Sequence, residues 1–341
     1  MTITELILSP FSLLYGAVSN LRGRAYRTGM LKPQRLEGTV ISVGNLTVGG
    51  TGKTPMVLWI VERLLAEGKR VAVLTRGYRG ETASSAASDI EAVSTSDEVR
   101  LLKHRLGDRA QFGIGRDRYK TGAALAKQGI EWFVLDDGFQ HLRLERDVNI
   151  VLIDASNPFG GGLLLPAGRL REPLSALGRA DLVVITRTSH APGLERSIQR
   201  YTNSPIFYAQ PRLDAIRCVA AGRLGDSIAT GLAGKPFAFC GIGNPHSFLF
   251  TLRDSGVEIA GHQFFPDHHR YTKADAAQIV LAAQGVGAAA LICTEKDLYN
   301  LGDAFETTDL LCATISMKVE REDDFWHQII SIANNRAPRK P

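Results

Sequence analysis

Ser42-Val43-Gly44-Asn45-Leu46-Thr47-Val48-Gly49-Gly50-Thr51-Gly52-Lys53-Thr54-Pro55 is the stretch on which the fold turns. The β-branched run Gly38-Thr39-Val40-Ile41-Ser42 reads as a buried strand, and Val57, Ile60, Val61, Leu64 and Leu65 follow at helical spacing. Strand, glycine-rich turn, Lys-Thr and helix is the context of a phosphate-binding P-loop. Glycines let backbone N–H groups turn toward phosphate oxygens, and the helix N-terminus adds partial positive charge. The pattern assigns Gly49, Gly50, Thr51, Gly52, Lys53 and Thr54 to a nucleoside triphosphate. Lys53 would reach the β- and γ-phosphates, and the Thr54 hydroxyl would bind Mg²⁺. Thr47 stands where the general pattern has glycine. The bland alternative is a strand–helix turn that binds nothing, and Gly-Lys-Thr in this setting argues against it.

Downstream, Arg70–Thr75 reads as a second strand that runs into Arg76-Gly77-Tyr78-Arg79-Gly80. Ligands in open α/β sheets bind at the carboxyl ends of strands, so Arg76 and Arg79 are placed to meet phosphate. Thr82–Ser88 is small and polar, the composition of a mobile loop. Asp97 and Glu98 open a helix, where paired carboxylates ordinarily serve as caps. Arg116 and Arg118 precede another helix as further candidate cations. Glu131-Trp132-Phe133-Val134-Leu135-Asp136-Asp137-Gly138 is a hydrophobic strand ending in two acids, the form of an element that holds Mg²⁺ opposite a P-loop. His141, just beyond, reads as structural. Val148–Asp154 and Asp181–Thr186 are further strands, separated by a glycine- and leucine-rich loop, 157–173, that carries Arg169 and Arg171. That loop suits an amphiphilic phosphorylated acceptor, or else is a crossover with buried leucines. Alternation of strands with helices or long crossovers argues for a parallel sheet.

The pattern loosens over 201–213, around Pro205 and Pro211, and a domain boundary is expected there. A second α/β unit follows, with strands at Phe237–Gly241, Ile259–Phe265, Ala290–Thr294 and Leu311–Ser316, and Thr272 as a helix N-cap. Asp267-His268-His269 lacks a third ligand at metal spacing, a poor zinc site. Thr294-Glu295-Lys296-Asp297 at a strand end has the look of a base-recognition loop. The fold expected is therefore α/β, a P-loop NTPase-like, mostly parallel sheet domain with a second, smaller α/β domain. The expected divisions are an N-terminal segment 1–36, a P-loop domain 37–205, a second domain 206–318, and a C-terminal helix and tail 319–341 that packs back on the first domain.

At 341 residues, 44% hydrophobic and 22% charged, the composition is that of a globular protein large enough for two domains. A net charge of +5 without a basic–aromatic repeat gives no support to nucleic-acid binding. Cys218, Cys240, Cys293 and Cys312 are scattered, which argues against a disulfide framework and fits a reducing compartment. Leu6–Val18 is apolar but too short for a span, which needs ~20 apolar residues. It is followed by Arg22, Arg24, Arg27, Lys32 and Arg35, a combination that suits either docking on an anionic membrane or a helix packed on the protein's own core.

Taken in order, Gly44–Pro55, Thr75–Gly80, Asp97-Glu98, Asp136-Asp137-Gly138-Phe139-Gln140-His141, Pro166–Pro173 and Phe265-Pro266-Asp267-His268 resemble the tetraacyldisaccharide 4′-kinase family of Gram-negative lipid A synthesis. Thr47 in the P-loop also matches that family. The resemblance implies transfer of the ATP γ-phosphoryl group to the 4′-hydroxyl of a tetraacylated glucosamine disaccharide 1-phosphate. It implies Asp97 as base assisted by His268, with Lys53 a further catalytic residue. Lys53, Thr54 and Asp137 would hold phosphate and Mg²⁺ with Asp136 beside them, and Asn45, Arg76 and Arg171 are candidates for the acceptor. ATP and Mg²⁺ are the implied cofactors, and the partners are the glycolipid substrate and a membrane surface, with no nucleic acid. The implied location is the cytoplasmic face of the inner membrane, reached through an N-terminal docking helix. With Asp97 assigned to the first domain and His268 to the second, closure on ATP is expected to assemble the pair. The rival reading is a P-loop switch ATPase acting through protein partners. Val48 occupies the position of that class's signature lysine and speaks against it.

Overall fold

The computed structural model describes residues 3–77, 96–220, 223–228, 232, 234–305 and 310–336. In chain order the elements are α1 (Ile3–Arg27), β1 (Thr39–Asn45), α2 (Lys53–Ala66), β2 (Val71–Thr75), α3 (Asp97–Leu106), β3 (Gln111–Ile114), α4 (Arg118–Lys127), β4 (Trp132–Asp136), β5 (Val148–Asp154) and β6 (Leu182–Thr186). They continue with α5 (Pro192–Gln199), β7 (Ile206–Ala220), β8 (Arg223–Ser227), β9 (Phe237–Cys240), α6 (Pro245–Asp254), β10 (Gly261–Phe264), α7 (Lys273–Gly285), β11 (Leu291–Thr294), α8 (Glu295–Leu298), β12 (Leu310–Val319) and α9 (Glu322–Arg336). The fold is α/β and mostly parallel. The chain forms two compact units, one of residues 1–77, 106–210 and 317–341, the other of 78–105 and 211–316.

In the first unit the strands run in the order β3-β2-β4-β1-β5-β6-β7, all parallel. β1, β2, β5 and β6 are buried along their whole length, as expected where helices cover both faces of a parallel sheet. α2 buries Met56, Val57, Leu58, Ile60, Val61 and Leu64, the helical stripe legible in the sequence. β1 extends beyond the expected strand to Asn45, because Gly44 continues the ladder where Phe139 approaches too closely for a side chain. A Cβ at Gly44 would lie 2.6 Å from Phe139 Cβ and 2.7 Å from its backbone nitrogen. α9 packs within this unit: Phe325 and Trp326 meet Trp59, and Trp326 Nε1 donates to Glu67 Oε1 at 2.6 Å. α1 runs past the expected apolar segment. Its Ser12 Oγ donates to Leu164 O at 2.9 Å and accepts from Ala167 N at 3.0 Å, so the helix is seated on the leucine-rich loop. The leucines of that loop are divided: Leu163–Leu165 are half-buried and Leu170 is fully buried.

In the second unit β10, β9, β11 and β12 are parallel neighbours, and β8 pairs antiparallel with β7. Thr272 caps α7 in a capping box with Asp275. The two units divide between Gln210 and Pro211, inside the 15-residue strand β7, whose half-buried alternation is interrupted in the sequence by proline. One expectation about the domains is corrected. Residues 96–105, expected in the first domain, group with the second unit, and so Asp97 and His268 belong to one unit. β3 was also missed, since its four residues Gln111–Ile114 offer too short a pattern.

Candidate active site

The first unit carries the glycine-rich 46–52 loop and the Asp136-Asp137 pair. β1 delivers the chain into 46–52, and Gly52, at φ 89°, makes the left-handed turn that starts α2. A non-glycine residue rarely adopts that conformation, and a Cβ there would also lie 2.8 Å from Met317 Cε. The loop is clamped from both sides by hydrogen bonds to its backbone. Val48 N donates to Arg169 O at 2.8 Å, and Arg171 N donates to Leu46 O at 2.7 Å. Arg187 Nη2 donates to Gly50 O at 2.6 Å and Thr186 Oγ1 to Thr51 O at 3.1 Å. Arg187 escaped the sequence reading, and so did the ties of Arg169 and Thr186 to the P-loop, because nothing in a local pattern signals that distant loops meet it.

β4 lies beside β1 with Asp136 level with Val43, so the two acids emerge at the carboxyl end of the strand adjacent to the P-loop. Asp136 is buried, and Arg118, itself 5% exposed, donates through Nη2 to its carbonyl at 3.0 Å. Arg116 is exposed. Asp137 turns out of the strand at φ 49°, an uncommon conformation for a non-glycine residue. Its carboxylate accepts from Arg171 Nη1 at 2.7 and 2.8 Å and lies 3.6 Å from Lys53 Nζ. Burial works against the charge of Asp137, but Lys53 and Arg171 outweigh it and hold the carboxyl below its ordinary value. Lys53 Nζ also donates to Asn45 Oδ1 at 3.4 Å. Asn45 Nδ2 and Thr51 Oγ1 are buried polar atoms without a partner among the described residues, the feature expected where a polar ligand completes a site. Thr54 stands in the first turn of α2. Arg76 follows β2 and is exposed, while Tyr78, Arg79, Gly80 and the 82–88 loop lie outside the described residues. His141 is pushed down to about 4 by burial and by Arg118 and Arg146, and so stays neutral near pH 7.

The second unit carries a histidine hydrogen-bonded to a buried aspartate. Ser96 Oγ accepts from Val99 N at 3.3 Å and so caps α3, and Asp97 Oδ1 accepts from Glu98 N at 3.0 Å. Asp97 is 7% exposed, and His268 Nδ1 donates to its carboxylate at 2.9 and 3.0 Å. His268 sits at φ 62°, its N–H donating to Gly241 O at 3.0 Å, whereas His269 Nε2 lies 3.2 Å from Asp275 Oδ2. The neighbouring histidines thus face different acids, and His268 is the one on Asp97. The pair is formed within one unit, which corrects the expectation that closure of two domains assembles it. Burial opposes the charge on Asp97, but the His268 hydrogen bond and Lys296 hold its carboxyl below the ordinary value. In return the Asp97 hydrogen bond raises the His268 imidazole, against burial and Lys296. Among the described residues no group of three or more His, Cys, Asp or Glu is placed to hold a metal on its own.

A P-loop beside a strand-end acidic pair on a parallel sheet defines a P-loop NTPase-like protein. The sequence model described as tetraacyldisaccharide-1-P 4′-kinase (LpxK) matches residues 4–334. The chain belongs to that family. It is 41% identical over 324 residues to a tetraacyldisaccharide 4′-kinase of Geobacter metallireducens, covering 91% of this chain and 92% of the relative. It is 43% identical over 309 residues to one of Pelobacter propionicus, covering 85% and 81%. In three dimensions it resembles the crystal structure of "apo" form LpxK from Aquifex aeolicus in complex with ATP. The TM-score is 0.71 and the identity 30%, over 96% of this chain and 99% of that one.

Proposed function

We propose that the protein transfers the γ-phosphoryl group of ATP to the 4′-hydroxyl of a tetraacyldisaccharide 1-phosphate, giving the 4′-phosphorylated lipid A precursor. The observation that carries the reading is the joint presence, in a chain of this family, of a clamped P-loop with Lys53 on Asp137 and a buried Asp97–His268 pair. Backbone N–H groups of Gly49–Gly52, with Lys53, hold the phosphates of ATP. The residue types fit a divalent cation: Asp137 is kept ionised, Asp136 adjoins it, and Thr54 supplies a hydroxyl, oxygen donors of the kind Mg²⁺ takes. Bound there, Mg²⁺ would neutralise charge on the phosphates. Asn45, Arg76 and Arg171 are assigned to the acceptor.

In the transfer, the acceptor oxygen forms a bond to the γ-phosphorus as the bond from that phosphorus to the β-phosphate oxygen breaks. The hydroxyl proton passes to Asp97. A carboxylate held below its usual range is a modest base, and a loose transition state, which releases the proton late, makes it sufficient. His268 orients the carboxylate and keeps its charge.

The protein works at a membrane surface through α1. No helix among the described residues is long and apolar enough to cross a membrane. Yet Leu6, Ile7, Phe11, Leu13, Leu14, Val18 and Leu21 are each more than 60% exposed, and Arg22, Arg24 and Arg27 follow them. Burying such a side chain is worth roughly 1.5–3 kcal/mol, against about 1 kcal/mol for each Arg near an anionic surface. The apolar face therefore dominates the docking, on the cytoplasmic leaflet of the inner membrane. The test of the reaction incubates the protein with γ-labelled ATP, Mg²⁺, detergent and tetraacyldisaccharide 1-phosphate. Label is expected in the lipid as a 4′-monoester. ATP hydrolysis stimulated by a protein partner, with unlabelled lipid, would overturn the reading and favour a switch ATPase.

A further inference from the structure

The end of β11 fixes four consecutive residues in four different directions. Thr294 caps α8, with its Oγ1 donating to Asp297 Oδ2 at 2.6 Å. Glu295 accepts from Arg105 at 2.6 and 2.8 Å. Asp297, 1% exposed, accepts from Gly241 N at 2.7 Å and from the Tyr271 hydroxyl at 2.9 Å. Gly241 in turn accepts from the backbone N–H of His268. Lys296 stands between these anchors, its side chain 18% exposed. Its Nζ lies 3.0 Å from Asp267 Oδ1, 3.7 Å from Asp97 Oδ2 and 3.9 Å from Glu98 Oε1. Asn300 Nδ2 donates to the same Asp97 oxygen at 3.4 Å.

We propose that Lys296 is a positioning residue for proton transfer, its ammonium joining the start of α3 to the 266–268 turn so that Asp97 stays charged and directed at His268. This deepens the kinase reading and rests on it. Three carboxylates, Asp97, Glu98 and Asp267, converge here, with His268 Nε2 3.7 Å from Asp267 Oδ2. Without a fixed cation, three like charges around a largely buried position would repel one another, and Asp97 would hold its own proton. A hydrogen-bonded neutral residue could preserve the geometry but not the charge, and this separates a positioning role from a merely structural one. Burial pushes the Lys296 ammonium down, but Glu98, Asp97 and Asp267 more than reverse this, so it is charged wherever the enzyme would work.

The experiment compares wild type, Lys296→Met and Lys296→Arg by pH profile of label transfer and by NMR titration of the His268 ring. Removing a cation makes both Asp97 and His268 easier to protonate. Lys296→Met should therefore move the acid limb of kcat/KM and the His268 titration upward by roughly one pH unit, with the KM for ATP within about twofold. Lys296→Arg should restore both. An unmoved acid limb and an unmoved imidazole in folded Lys296→Met overturn the proposal, as does an arginine variant no better than methionine. Should Lys296→Met fail to fold, Lys296→Gln serves the same comparison, and the same outcomes decide. The NMR titration needs no lipid, so absence of transfer by wild type would sink the kinase reading and leave the Lys296 result standing apart.

Discussion

Asp97 is a carboxylate at a helix start that does two things at once: it accepts from Glu98 N at 3.0 Å in the first turn of α3, beside the Ser96 cap, and it accepts from His268. If it accepts the acceptor's proton, Asp97→Asn should lower kcat by about 10²- to 10⁴-fold, the usual worth of a positioned base. Equilibrium titration should find ATP affinity within about twofold of wild type, because the P-loop lies in other segments of the chain. Sequence pattern alone favours a helix-start role for Asp97, which its bond from Glu98 N bears out, and the proposed role as base comes from the ordered set of family motifs. Lys296 was read as part of a base-recognition loop. Its neighbours Asp97, Glu98 and Asp267 come from two remote segments, and side-chain convergence of that kind leaves no local periodicity to read. The meeting of Lys53 with Asp137 at the end of β4 was legible because strand, turn and helix are local patterns.

Among the elements, β1 and α1 make the sharpest demands. Gly44 lets Phe139 and the Asp136–Asp137 turn close against β1, and the obstacle to a methyl group is backbone as well as side chain. Gly44→Ala should destabilise the protein by roughly 1–3 kcal/mol in denaturant titration and weaken ATP binding with it. For α1, the double substitution Leu13→Asp and Val18→Asp should leave the melting temperature nearly unchanged, as both side chains are exposed. In vesicle flotation with anionic lipid it should abolish recovery in the lipid fraction. Raising salt on the wild type should have the smaller effect, because the apolar term exceeds the electrostatic one. Flotation of the double variant at wild-type levels would refute the docking role of α1. The element's apolar character was legible, whereas which face is covered depends on the Ser12 contacts with 164–167, residues far away in sequence.

At the scale of the whole molecule, the ionisable groups pull stability in opposite directions with pH. Asp97, depressed in the folded state, contributes stability above its ordinary value of 3.8 and loses it as pH falls. His268, raised, contributes below its ordinary value of 6.5 and loses that contribution as pH rises through the folded value. His141, at about 4 when folded against 6.5 ordinarily, binds its proton more readily in the unfolded chain, so stability falls between pH 6.5 and 4. Thermal melts at pH 7 and pH 5 should show a smaller drop for His141→Leu than for wild type, and an equal drop would discard this account of His141. The α/β class and the order of the motifs were legible because alternating buried strands and helical stripes recur through the chain. The grouping of residues 96–105 with the second unit was not, because which unit a segment joins is set by contacts between remote stretches.

The central claim is that the P-loop and the Asp97–His268 pair serve one phosphoryl transfer. Its most direct test is single-turnover transfer from saturating γ-labelled ATP to tetraacyldisaccharide 1-phosphate, wild type against Asp97→Ala. The account predicts rapid labelling of the lipid by wild type and a rate at least about a hundredfold lower for the variant at full ATP occupancy. Equal rates would remove Asp97 from the chemistry and contradict the account.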